Sequence, residues 1–343
     1  MSLNLPLNLP LNLPLSLPLS LPLSLPLSLP PNRRLNLRLT SMNPTATTSR
    51  LHKPACWLAA ALLACAGIAS ADTLKKIADT GIVTFAYRES SVPFSYLDGP
   101  HKPIGFGVDM YSAVLEGVRK ATGRPDIAVR YQAVTSQNRI PLVANGTVDL
   151  ECGSTSNTAA RAKTVAFAIN YFYTGPRLLV KKASGLQDFA DLRGKTIAIT
   201  TGTTSFKLMR QYNLDQTMGM TLLAGKDHAD SFLLLESGRA AAFVMDDILL
   251  YGQVLNARRP DELAVVGKAL QVEPYACMLR KDDPAFKTVV DEALAGLMQS
   301  GEFERIYDKW FMQPIPPRGR SLNLPMSREL RENLRVRSDR PAG

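Results

Sequence analysis

Cysteine and histidine are scarce in this chain, and their scarcity argues against most metal chemistry. The 343 residues include four cysteines and three histidines. Cys56 and Cys65 fall in an apolar N-terminal stretch, which leaves Cys152 and Cys277 for the folded body. Their spacing suits no metal site, and no group of histidines accompanies them. In an oxidising compartment the pair forms one disulfide or stays as two buried, inert thiols, and the sequence leaves both open. No GxxxxGK[ST] phosphate loop occurs, so ATP chemistry would belong to a partner. No GxSxG occurs either, which argues against a hydrolase. No apolar run after the folded body marks a membrane span, as a receptor built on such a body would require.

Acidic residues are missing from residues 1–71, which hold five Arg/Lys. Residues 318–343 hold seven Arg against three acids. The formal net charge of +10 therefore falls to +1 over residues 72–317. A basic balance confined to two ends is not the continuous patch that nucleic acid needs, so no nucleic-acid partner is expected. The basic tail, 318–343, reads as a solvated extension.

Residues 1–31 repeat LNLP and LSLP, and proline at that spacing forbids a helix. Met42 opens a more plausible start. Arg50 and Lys53 supply a positive segment, Ala55 to Ile68 an apolar one, and Ala69-Ser70-Ala71 a small-x-small cleavage site. Residues 1–41 are thus expected to be low-complexity and untranslated or disordered, and 42–71 to be a signal peptide. Leu62-Leu63-Ala64-Cys65 loosely resembles a lipoprotein cleavage box, a less favoured alternative.

From residue 72 strands and helices alternate. Ile82–Tyr87, Ala128–Ala133 and Val148–Glu151 read as strands around helical patterns at Gly107–Thr122 and Ser136–Asn145. Arg177–Lys181, Thr196–Thr200, Met220–Ala224, Ala241–Met245 and Leu263–Val266 repeat the rhythm, and Tyr275–Leu279 precedes further helices over 283–308. The pattern predicts two α/β lobes around largely parallel sheets. Their spans are 72–176 with a return over 274–317, and 177–273. The chain would cross between them near Gly175–Val180 and Val272–Ala276.

Polar residues gather where strands end. Arg88, with Glu89, Ser90 and Ser91, interrupts an apolar run. ECGSTSNTAAR places Ser154, Thr155 and Ser156 after a strand and Arg161 shortly beyond. TTGTTSF does the same in the second half with Thr203, Thr204 and Ser205 behind Gly202. Ser136 and Arg139 occupy another strand-to-helix turn, His228 follows a strand, and Asp246-Asp247 end one. In open α/β sheets, ligands bind off the carboxyl ends of the strands. Hydroxyls and helix amides suit an anion there, guanidinium suits a carboxylate, and a carboxylate suits an ammonium. Each turn alone also fits plain helix capping. Two such turns facing across a cleft would bind both ends of a small zwitterion.

The segments YRESSVPFSY, TSQNRIPLVANGTVDLECGST, GTTS, KDHADSF, LESGRAAAFVMDD, ACMLRKDDPAFK and SGEFERIYDKWFMQPIPP carry a resemblance. Over about residues 73–325 the chain resembles the glutamate/aspartate-binding members of the family 3 solute-binding proteins of ABC importers. The resemblance implies the type II periplasmic-binding-protein fold, two α/β lobes joined by a two-strand hinge. It implies a periplasmic monomer without cofactor or metal that hands an acidic amino acid to an inner-membrane ABC permease. It assigns Arg161 to the ligand α-carboxylate, with Ser154, Ser156 and Thr204, and Asp246 to the α-ammonium. Arg88, Arg139 and His228 would form the basic group around the distal carboxylate, beside Ser136. The family has a threonine where this chain has Ser156, which keeps the hydroxyl. A dehydratase on the same fold is the enzymatic alternative, with His228 as its one plausible acid or base.

Overall fold

The computed structural model describes residues 72–342, so the expectations for 1–41 and 42–71 lie outside the described residues. The chain opens with α1 (Thr73–Thr80), β1 (Ile82–Tyr87), and a small flap of β2 (Ser90–Ser91), β3 (Ser95–Leu97) and β4 (Pro103–Ile104). Helix α2 (Phe106–Thr122), β5 (Ala128–Ala133), α3 (Arg139–Ala144), β6 (Leu150–Glu151) and β7 (Val165–Thr174) follow. A second unit holds β8 (Pro176–Lys181), β9 (Thr196–Thr200), α4 (Thr204–Asp215), β10 (Thr221–Gly225), α5 (His228–Glu236), β11 (Ala242–Asp246), α6 (Asp247–Asn256) and β12 (Leu263–Val266). Strand β13 (Glu273–Arg280) returns to the first sheet, and α7 (Pro284–Ser300), α8 (Glu302–Tyr307) and α9 (Arg328–Val336) complete the chain.

Two five-stranded sheets result, ordered β5-β1-β6-β13-β7 and β10-β9-β11-β8-β12. They are mixed, which corrects the largely parallel arrangement expected from the strand–helix rhythm. β1 runs parallel to β5 and β6, but β13 is antiparallel to both β6 and β7. β9 runs parallel to β10 and β11, but β8 is antiparallel to β11 and β12. The reversals follow from the two crossings, because a chain that leaves one sheet and returns must re-enter it in the opposite sense. The crossings are the Thr174–Gly175–Pro176 link between β7 and β8 and the loop before Glu273. A Cβ at Gly175 would lie 2.1 Å from the Gln271 carbonyl, so the two links pass in contact and only glycine fits.

Local rules explain the elements. Helix α2 buries Phe106, Met110, Val114 and Val118, spaced for one face, with Asp109 in its first turn and Arg119 and Lys120 in its last. Asp227 caps α5 by accepting the Asp230 amide. Thr203 caps α4 through the Phe206 amide. Beneath the flap, Phe94 packs on Phe172, Tyr275, Phe106 and Phe311, with ring centroids 4.9–6.1 Å apart. This aromatic core fixes the loop that follows Arg88.

The basic tail is not a solvated extension. Leu330 and Asn333 of α9 are buried. The Asn333 amide donates to the Asn170 carbonyl at 2.6 Å, and the backbone N–H of Asn170, on β7, donates to the Ser338 carbonyl at 3.0 Å. Asn157 and Asn170 donate side-chain amides to the Asp339 and Arg340 carbonyls. The tail's charges face solvent while its carbonyls and leucines face the sheet.

Candidate functional site

The parallel strands of both sheets aim their carboxyl ends at one cleft. β1 delivers Arg88 and β6 delivers the turn 152–156, while β9 delivers 201–204 and β11 ends in Asp246. Arg88, Arg139 and Arg161 are all buried there, with 1%, 2% and 7% exposure. Their hydrogen bonds go to hydroxyls, carbonyls and an imidazole rather than to carboxylates. Arg88 donates to Ser136 Oγ at 2.8 Å and to Ser154 Oγ at 3.5 Å, and faces His228 Nε2 at 3.4 Å. Arg139 donates to the Ser154 carbonyl at 3.0 Å, and its buried Nε has no partner. Arg161 donates to the Ser156 carbonyl at 2.9 Å and, across the cleft, to the Gly202 carbonyl at 3.3 Å. Burial first, and Arg139 next, draws Arg88 down to about 9 and Arg161 to about 10. Glu151 and Asp227 offset part of this at Arg88, and Glu273, Asp246 and Glu151 at Arg161, and a carboxylate set among the three guanidinium groups would favour their charged forms further.

His228 joins this cluster, and its surroundings disfavour the charged imidazole. Burial, then Arg88 and Arg139, holds its pKa well below the usual imidazole range. Its tautomer follows from a chain of hydroxyls. Ser231 gives its proton to a backbone carbonyl, of Ile199 or Asp227, each at 3.0 Å. It therefore accepts from Thr200 Oγ1 at 2.9 Å, and Thr200 in turn accepts from His228 Nδ1–H at 3.1 Å. The Nε2 lone pair is left facing Arg88.

The other end of the cleft is acidic. Asp246 accepts from Ser205 Oγ at 3.3 Å and from the Tyr275 hydroxyl. Glu273, fully buried at the start of β13, accepts from Thr204 Oγ1 and Gln271 Nε2, both at 2.7 Å. Burial, with Glu273 adding to it, pushes the Asp246 carboxyl well above the carboxylate range. Two buried carboxyl groups held by hydroxyls and an amide, with no cation in contact, suit an ammonium group.

The predicted residues divide in the structure. Arg88, Ser136, Arg139, Ser154 and His228 come together at the basic end, and Arg161, Ser156, Thr204 and Asp246 line the middle and the acidic end. The Ser156 and Thr204 hydroxyls meet across the cleft at 3.4 Å. Ser90 stands aside, its buried Oγ without a partner, while the neighbouring Ser91 accepts from Ser154 Oγ at 3.2 Å. Thr155 turns its hydroxyl onto Glu151 at 2.5 Å, and Thr203 turns its own onto the Thr200 carbonyl and the Phe206 amide. Asp247 bonds Thr174 and its own helix. Glu273 and Tyr275 did not emerge from the sequence as site residues, and Ser91 stands there only among the polar residues that follow Arg88. A lone acid opening an otherwise apolar strand was the available signal for Glu273. Cys152 and Cys277 are joined in a disulfide, which pins the turn 152–156 to β13. Gly202 has φ +80°, and a Cβ there would lie 2.6 Å from Gln137 Cα, so the two lobes meet backbone to backbone at this point.

Comparison with known proteins agrees with this geometry. The chain is 52% identical over 271 residues to an L-glutamate/L-aspartate-binding protein of Pseudomonas aeruginosa, covering 79% of this chain and 90% of that one. It is 46% identical over 299 residues to a glutamate/aspartate import solute-binding protein of Escherichia coli, covering 85% and 99%. Among solved structures, an ancestral arginine-binding protein bound to arginine aligns with a TM-score of 0.61 at 25% identity, covering 67% of this chain and 98% of that chain. Residues 83–313 match the family's model, and the chain belongs to the bacterial extracellular solute-binding proteins, family 3.

Proposed function

We propose that this protein captures L-glutamate or L-aspartate between its lobes and delivers it to an ABC permease. One observation carries the reading: three buried guanidinium groups without carboxylate partners stand at one side of a cleft whose other side holds two buried carboxyls. An acidic amino acid answers both ends. Its ammonium meets Asp246, with Glu273 behind it. Its α-carboxylate meets Arg161 with Ser156 and Thr204. Its distal carboxylate meets Arg88 and Arg139, steadied by Ser136, Ser154 and neutral His228. A neutral amino acid would leave one or two buried cations unpaired, at a cost of roughly several kcal/mol. Aspartate and glutamate differ by one methylene, worth about 1–3 kcal/mol, so their affinities should lie within about 100-fold of each other.

Residues 72–176 with 274–317 would form one closing body and 177–273 the other, hinged at the two crossings. The relatives' names support transport rather than catalysis, and a neutral His228 already engaged by Thr200 and Arg88 is a support for Arg88. The signal-peptide pattern at 42–71 supports delivery to the periplasm. Thermal-shift screening of the purified protein against the twenty amino acids tests the reading, because a ligand of the native state raises its melting temperature. Glutamate and aspartate should give the largest rises. Equal protection by glutamine would overturn it.

A further inference from the structure

The turn after β13's helices reaches from the first lobe to the second, well outside the cleft. Residues 315–320 form a tight loop, with the Ile315 amide donating to the Arg320 carbonyl at 3.0 Å and the Gly319 amide to the Ile315 carbonyl at 2.9 Å. The loop is anchored to the first lobe, since Ile315 is buried and the flap residue Tyr96 donates its hydroxyl to the Pro316 carbonyl at 2.8 Å. Its two arginines point the other way. Arg318 Nε donates to the Asn256 carbonyl and Arg320 Nη1 to the Leu255 carbonyl, each at 3.1 Å. Both carbonyls lie at the carboxyl end of α6, where unpaired acceptors and the helix dipole favour cations.

Helix α6 belongs to the second lobe and acts as a lever. Its first residue is tied to the first crossing, with the Asp247 amide donating to the Gly175 carbonyl at 2.9 Å and Thr174 Oγ1 donating to the Asp247 carboxylate at 2.6 Å. At 1.5 Å per residue its far end lies about 14 Å from that hinge. There it meets the first lobe twice more: a Cβ at Gly252 would lie 2.4 Å from the Val92 carbonyl, and Gln253 donates to the Ser90 carbonyl at 3.3 Å. Rotation about the crossings would displace the far end of α6 most, so lobe opening would break the contacts made there.

We propose that the loop 315–320 is a closure latch, in which Arg318 and Arg320 raise ligand affinity by holding the far end of α6 without touching the ligand. The proposal rests on the reading of the molecule as a two-lobed carrier. The test is the double variant Arg318→Ala/Arg320→Ala in the full chain, titrated calorimetrically with L-glutamate and L-aspartate. Both affinities should fall by the same factor, about 3- to 10-fold, the scale of two exposed charged hydrogen bonds. The glutamate-to-aspartate ratio should stay fixed, which damage to the cleft would not produce. Arg328→Ala/Arg335→Ala removes the same charge from α9, where Arg328 pairs with Glu329 and Arg335 with Glu332, and should leave both affinities unchanged. Small-angle scattering of the protein without added amino acid supplies a reading that needs no ligand: the latch variant should show a larger radius of gyration than its parent. Unchanged affinity together with an unchanged radius overturns the latch. If the parent fails to bind L-glutamate, the proposed function falls, and scattering alone decides on the latch.

Discussion

The two ends of the cleft carry opposite charges in similar surroundings. At the basic end Arg88 and Arg139 are buried and held by serine hydroxyls and carbonyls. At the acidic end Asp246 and Glu273 are buried and held by hydroxyls of serine, threonine and tyrosine. Neutral dipoles fix each charge without cancelling it. The arginines of the basic end come from the first lobe and His228 from the second, and the acids come from the second lobe and the hinge strand. Buried ions placed side by side would neutralise one another and leave nothing for a guest. Separation by the fold makes the cleft polar from end to end, and a zwitterion with an added negative group matches that polarity.

Breaking the basic end should have the largest effect. Arg88→Ala and Arg139→Ala should each weaken L-glutamate binding by about 10²-fold or more, on the scale of truncating one partner of a buried charge pair. Titration calorimetry checks this, and unchanged affinity in both variants would remove the basic end from the site. Breaking the acidic end should cost less, because one carboxyl group remains. Asp246→Asn should weaken binding by about 10- to 100-fold. A competition assay in which Asp246→Asn matches its parent would show that the ammonium binds elsewhere.

The smallest effect, and the sharpest contrast, lies in stability against pH. Asp246 has a raised pKa, so between about 4 and that value the folded state keeps a proton that the unfolded chain has lost. Its contribution to stability therefore declines as pH rises through that window. His228 has a lowered pKa, so on acidification through about 6.5 the unfolded chain takes up a proton first. Its contribution declines as pH falls. Scanning calorimetry without added amino acid should show the alkaline-side loss reduced in Asp246→Asn and the acid-side loss reduced in His228→Asn, each by a few degrees in melting temperature. Profiles parallel to the parent in both variants would remove the two groups as the source.

Much of this site could be read before the fold, for a physical reason. Arg88 directly follows an apolar run and Asp246 ends one, while Ser136, Ser154, Ser156 and Thr204 lie within a few residues of a strand end, and strand ends in α/β sheets face the cleft; Arg161 comes further along the loop that follows β6. Glu273 opens a strand rather than ending one, and only the reversed direction of β13 brings it to the same place. That reversal cannot be seen in apolar periodicity, which is the same for parallel and antiparallel neighbours; the mixed sheets escaped for the same reason. Strand β7, VAFAINYFYT, is apolar but for Asn170 and Thr174, and the Gly175-Pro176 pair at its end leads straight into β8 rather than into a helix. The tail misled through composition. Its arginines do reach solvent, but Leu330, Asn333 and the Ser338 and Arg340 carbonyls dock on β7, and the Asp339 carbonyl docks on Asn157.

That docking has a consequence for how copies of the molecule meet. Strand β7 is the outermost member of its sheet, and an outermost strand normally offers a free row of amides and carbonyls to any chain that can lie alongside it. Here the chain's own terminus takes up part of that row, through the Asn170 amide on the Ser338 carbonyl, and a parallel bridge between Thr158 and Ala342 holds the terminus to the loop before β7. A neighbouring copy is therefore denied a template for strand addition on this flank, and the arginines on the outer surface of the terminus add mutual repulsion between approaching molecules.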